Sequence, residues 1–369
     1  MNNASAASSR SAQIDLLRAL AIVAVVLIHV WGPSTEVTPE RGPLHAALFA
    51  LFVSGGLWAV PCFFFLSGLL LTPRADFPTW DERLAWLRKR GARILPPYLF
   101  WSALCLLAAR QTDVVAILRS LASGTASYQM YFVVALVQAY ALWWLVMPWL
   151  QRQSPRVQTL AVLIAVAVGV LAHAWRAAYL ASVQVDQFDW LRATVLPWIG
   201  YFAFGCWVAL RLGSDGPQAA LERLLAGRRM LVFASALTSF VVLALIVTYG
   251  VTYRGPHFDE PLNTLLKPVY AFPMILVMVA FGQWFDTRAG AKTRRFVTAL
   301  ARDSYGIYLS HVLVMQLISS YVFIQLAGLS LPLEVAYRVF ALVLTIGASW
   351  GITRALSLVP GLRWVSGSG

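Results

Sequence analysis

Charge is scarce in this chain. Only 12% of its 369 residues are Asp, Glu, Lys or Arg, where a soluble domain carries roughly a quarter. Acidic groups are scarcer than basic ones, 16 against 29. Cysteine is almost missing, and Cys62, Cys105 and Cys206 each fall inside an apolar run. Three scattered thiols make neither a disulfide framework nor a metal-ligand motif, so they read as small core residues. No His-x-x-x-His pair and no Asp/Glu cluster has metal spacing, and no metal is expected. Long polar stretches are absent too. No loop is long enough to hold a soluble catalytic domain, so any chemistry belongs to the apolar part of the chain.

What the chain has instead is apolar length. Hydrophobic residues make up 59% of it, and 15 Trp and 13 Tyr suit a protein with two bilayer interfaces. Ten runs are long enough to cross a bilayer: 14–32, 45–72, 94–111, 129–150, 158–180, 191–211, 230–250, 262–285, 299–326 and 332–358. The first lacks a small-residue cleavage site and reads as a retained span. This predicts an all-α, polytopic transmembrane bundle over 14–358, with short tails at 1–13 and 359–369. Pro61 in the second run and Gly306 in the ninth are candidate bends. No internal repeat of the transporter kind is visible.

Basic residues concentrate in alternate loops, as RKRGAR, RQSPR, GRR and KTRR, all on the side of the N-terminus. The positive-inside rule therefore puts both termini in the cytoplasm. The net charge of +13 is largely topological on this reading, and nucleic acid is not an expected partner. Arg18, Lys267, Arg302 and Arg338 remain inside spans.

An ionisable residue inside a span is a functional candidate by default. The first span, IDLLRALAIVAVVLIHV, carries Asp15, Arg18 and His29. At 100° per residue, Arg18 and His29 fall within about 20° of one face and Asp15 within about 40° of His29. Asp15 and Arg18 are spaced to pair at i, i+3. The helical rise sets His29 about 16 Å deeper than Arg18. An imidazole at that depth can serve as a general base near neutral pH.

Five segments in order resemble the acyltransferase-3 family of membrane acyltransferases. They are Arg18-x10-His29, PCFFFLSGLLL (61–71), RKRGARILPPYLFW (88–101), YQMYFVVALVQAYAL (128–142) and DSYGIYLSHVLV (303–314). Tyr131 stands where the family often has Trp. The resemblance implies transfer of an acyl group, commonly acetyl, from cytoplasmic acyl-coenzyme A to a hydroxyl. It implies no tightly bound cofactor, the acyl-coenzyme A being a co-substrate. A glycan acceptor is expected, such as a bacterial surface or secreted polysaccharide or its lipid-linked precursor.

On that reading Arg88, Lys89, Arg90 and Arg93 meet the donor's phosphates, since a guanidinium can grip phosphate through two parallel bonds. Arg90 and Arg93 share a face at i, i+3. Arg18 completes the donor site, and Ser67 and Tyr98 belong to it by their motifs. The Gly-x-Ser-x-Gly elbow of a nucleophilic serine is absent around Ser67, which favours a positioning or packing role beside Gly68. His311, Tyr308 and Tyr131 would line an acceptor path or orient His29. Trp31, Glu36, Asp186, Asp189, Trp190, His257, Asp259 and Glu260 are acceptor candidates in outer loops. A transporter or flippase for an acyl group or glycolipid is the alternative that ten spans also suit.

Overall fold

In a computed structural model, residues 11–31, 42–72, 79–182, 190–253, 259–322 and 330–367 are described. Every regular element among them is helical. In chain order these are α1 (Ala12–Trp31), α2 (Gly42–Gly55), α3 (Ala59–Leu71), α4 (Trp80–Ala108), α5 (Val114–Ser123), α6 (Tyr131–Gln151) and α7 (Pro155–Ser182). Then follow α8 (Ile199–Leu212), α9 (Pro217–Leu225), α10 (Arg229–Tyr253), α11 (Asp259–Arg288), α12 (Ala291–Arg302), α13 (Ser304–Val322) and α14 (Leu331–Leu358). Short 3-10 turns cover Trp190–Ala193, Leu196–Trp198 and Pro360–Val365. The chain is an all-helical membrane bundle.

Among the described residues, eight helical stretches are long and apolar enough to cross a bilayer: α1, Leu51–Leu71, α4, α6, α7, α10, α11 and α14. The other two expected spans are shorter apolar helices, Leu196–Leu212 and Ser304–Ile318. Both bends lie a few residues before the expected positions. The second span breaks at Gly56–Trp58, while Pro61 falls in the first turn of α3, where a missing N–H is harmless. The ninth breaks at Asp303, between α12 and α13. Gly306 instead permits a close approach, because a side chain there would strike the Ser366 carbonyl and Thr353.

α4 begins well before its expected span. Thr79 and Glu82 form a capping box at its start, so the basic motif lies on a continuous helix. Pro96 and Pro97 are accommodated inside α4, as membrane helices allow when neighbours satisfy the freed groups. Residues 360–367, expected within a tail, fold back on the bundle. The Trp101 indole donates to the Val365 carbonyl at 3.1 Å, and Val365 and Ser366 are buried.

α1 is the core of the bundle. Its apolar residues are buried on nearly every side, and it packs against α2, α3, α11, α12, α13 and α14. Helices hydrophobic all round belong inside. At its start Gln13 donates to the Val279 carbonyl of α11 at 3.0 Å, and Gly282 makes room for that side chain. α7, α10 and α14 form the outside, with Leu163, Leu171, Phe233, Phe240, Phe340 and Val343 exposed for lipid.

α3 and α8 cross at backbone distance. A Cβ on Gly68 would strike the Phe202 carbonyl, and one on Gly205 would strike the Phe65 carbonyl. Small residues are what let membrane helices approach at backbone distance. Gly205→Leu is expected to separate these helices and cost at least about 2 kcal/mol. A markedly lower Tm of the purified protein checks this; an unchanged Tm would show the crossing to be loose.

Candidate functional site

Four arginines converge at the end of the bundle where α1 begins. Arg18 comes from α1, Arg90 and Arg93 from α4, and Arg302 from the last turn of α12. They line a cavity of about 230 Å³ together with Ser67, Tyr140, Ser304, Tyr305, Tyr308 and several apolar side chains. Among the described residues, none that lines it is acidic. The helical register explains the convergence: Arg90 and Arg93 share a face of α4, and Arg18 lies within the first two turns of α1. A cavity with this lining attracts polyanions. Its volume lies below the ~300–1,000 Å³ of sites that hold a whole drug-sized ligand, so it takes one portion of a large one.

Asp303 anchors this arrangement at the break between α12 and α13. Its fully buried carboxylate accepts from the Trp350 indole at 2.8 Å and pairs with Arg354 Nε at 2.9 Å. Its other oxygen lies 3.3 Å from Arg302 Nε, which holds that guanidinium at the cavity wall. Tyr305 donates to the Ile94 carbonyl at 2.9 Å and fixes α13 against α4.

Asp15 has a partner that its sequence spacing did not suggest. It accepts from Thr298 Oγ1 of α12 at 2.7 Å. The buried carboxylate thereby ties α12 to α1, and the Arg18 side chain is directed to the cavity.

Deeper along α1, His29 stacks on His311 of α13, with ring centroids 5.2 Å apart and planes at 26°. Tyr128 meets the His29 ring edge-on at 4.8 Å. His311 is fully buried, and its Nδ1 faces the Tyr308 carbonyl at 2.6 Å and the Ile307 carbonyl at 3.2 Å. Facing two acceptors, Nδ1 carries the proton, which leaves Nε2 with the lone pair in the neutral ring. That Nε2 is buried without a hydrogen-bond partner.

Tyr308 connects the two regions. It lines the arginine cavity, while its ring lies 5.8 Å from that of His311. Its hydroxyl donates to the Gln129 carbonyl, beside Tyr128. Cavity, Tyr308, His311 and His29 therefore form one continuous series through the interior.

A family model described as an acyltransferase domain matches residues 11–354. The chain belongs to the acyltransferase-3 family. It is a multi-pass membrane acyltransferase. No match to it was found among curated proteins or among solved structures.

The remaining site candidates of this acyltransferase divide clearly. Ser67 lines the cavity, whereas the close packing is done by its neighbour Gly68. Arg88 and Lys89 are exposed on α4, away from the cavity lining. Tyr98 is buried outside it and donates to the Leu121 carbonyl of α5 at 2.6 Å. Tyr131 stacks on Trp198 beneath the Arg192 guanidinium, which lies 4.6 Å from its ring centre. Trp31 is buried at the end of α1, and Trp190 is exposed. Glu36, Asp186, Asp189 and His257 lie outside the described residues, as do the side chains of Asp259 and Glu260.

Sequence reasoning missed Tyr128, Tyr140, Tyr305 and the cavity role of Arg302. Arg302 carried a signal as a cation inside an expected span, and the three tyrosines lie within the segments 128–142 and 303–314 that resemble the family, without being singled out there. Asp303→Asn is expected to lower stability by about 1–2 kcal/mol, because the Trp350 indole and two part-exposed, solvent-screened guanidiniums lose a charged acceptor. Thermal unfolding of the purified variant checks it, and an unchanged midpoint would remove Asp303 as the anchor.

Proposed function

We propose that this protein is an O-acyltransferase that takes an acyl group, acetyl in the simplest case, from cytoplasmic acyl-coenzyme A. The acceptor is a hydroxyl of a glycan, either a bacterial surface or secreted polysaccharide or its lipid-linked precursor. One observation carries the reading: a cavity lined by four arginines, with no acid among its described lining residues, is linked through Tyr308 to the stacked pair of His29 and the buried His311. Coenzyme A bears several phosphates at one end and the thioester at the other, and this polarity matches that series.

On this proposal the basic end faces the cytoplasm of the inner membrane, as the positive-inside rule favours. Arg90, Arg93, Arg18 and Arg302 hold the donor's phosphates by charge-assisted hydrogen bonds. The thioester arm then runs past Tyr308 towards His29. His29 removes the proton from the acceptor hydroxyl as its oxygen attacks the thioester carbonyl. The tetrahedral intermediate collapses, and the departing thiolate takes the proton back from the imidazolium. Stacking on His311, whose tautomer is set by two backbone carbonyls, keeps the His29 ring in place. A route through a transient acyl-His29 uses the same geometry.

His29→Ala is expected to abolish acyl transfer while leaving coenzyme A binding and Tm near wild type. Radiolabel transfer and calorimetric binding on the purified protein check this, and full transfer in the variant would sink the assignment. Arg90→Ala and Arg93→Ala are each expected to weaken acetyl-coenzyme A binding by about tenfold at low salt, with the difference shrinking at 1 M salt. Wild-type, salt-insensitive binding would make the cluster purely topological. Thioester turnover by the purified protein also separates this reading from a flippase. The acceptor is found by comparing glycan acetylation, by mass or NMR, in cells with and without the protein.

A further inference from the structure

α14 carries an ion pair inside the bundle. Glu334 and Arg338 lie one helical turn apart, and their side chains are 3% and 2% exposed. Arg338 Nε and Nη2 both donate to Glu334 Oε1, at 2.9 and 2.6 Å. Its remaining arm reaches a different helix: Nη1 donates to the Val30 carbonyl of α1 at 2.9 Å. The guanidinium also lies over the Trp31 ring, 5.8 Å from its centre.

Val30 is among the last four residues of α1, whose carbonyls have no partner within their own helix. A cation there complements the negative end of the helix dipole, and its position over an indole adds a cation–π contact. His29 is the adjacent residue. Its ring is placed by ring contacts with His311 and Tyr128, so its position follows the end of α1.

Stability alone does not account for such a pair, because well-packed apolar residues often serve as well as a buried ion pair. An apolar pair could not donate a hydrogen bond to the end of another helix. We propose that Glu334 and Arg338 are positioning residues for His29, with α14 capping α1 from outside so that the imidazole stays stacked on His311. Glu334 orients the guanidinium and neutralises it within the membrane. The catalytic consequence rests on the proposed role of His29; the capping itself does not.

The test uses the full-length protein in lipid nanodiscs, as wild type, Arg338→Lys and Arg338→Met. Carbethoxylation of His29 by diethyl pyrocarbonate, followed by peptide mass spectrometry, reports the freedom of the ring without any turnover. Acetyl-coenzyme A consumption supplies kcat and KM. Lysine keeps the charge beside Glu334 but has no planar fork to serve Glu334 and Val30 together, so this variant decides the matter if Arg338→Met does not purify. His29 is expected to react several-fold faster in both variants. kcat should fall by about tenfold through misplacement of the base, with KM for acetyl-coenzyme A within twofold of wild type. An unchanged His29 labelling rate in a purified variant would overturn the proposal. So would a loss confined to KM. Faster labelling alongside a fully active His29→Ala would keep the cap and discard the catalytic role of His29.

Discussion

A helix carrying Asp15, Arg18 and His29 can cross a bilayer only if other helices shut it away from lipid. That constraint organises the bundle. α1 is enclosed by six neighbours, and each polar group on it has a stated surrounding. α11 receives Gln13, α12 supplies Thr298 to Asp15, α13 supplies His311 to His29, and α14 supplies Arg338 to the Val30 carbonyl. Arg18 is turned into the cavity. The helices farther out carry the apolar surface that meets lipid.

Enclosure also explains where glycine is used. Gly68, Gly205 and Gly282 stand where a side chain would hold a neighbouring helix off. At the α3–α8 crossing this close contact brings Ser67 to the cavity wall without burying it in the interface. The break at Asp303 works in a similar way. α12 ends there with Arg302 at the cavity, and α13 starts afresh and carries His311 in the interior.

Much of this was legible in the sequence because membrane constraints are written in composition. Apolar length marked nearly all the helices, and the shared face of Arg18 and His29 followed from 3.6 residues per turn. Arg90 and Arg93 were singled out by spacing, and they share the cavity while Arg88 and Lys89 remain on the exposed surface. The misreadings have physical causes. Asp15 was read against its nearest sequence neighbour of opposite charge, which gave no hint of the hydroxyl that Thr298 brings to it from a distant helix. Tyr98 shares a motif with the arginines yet points to α5.

The sequence by itself determined that this is a helical membrane protein, which residues bear unusual charge within it, and its family. These follow from hydropathy, periodicity and short motifs, all local along the chain. Tertiary structure alone decided that four arginines from three helices share one cavity. It also decided that Tyr308 joins the cavity to the histidines and that α14 caps α1. Those contacts link residues up to several hundred positions apart, and helical periodicity says which face a side chain occupies but not which helix meets it.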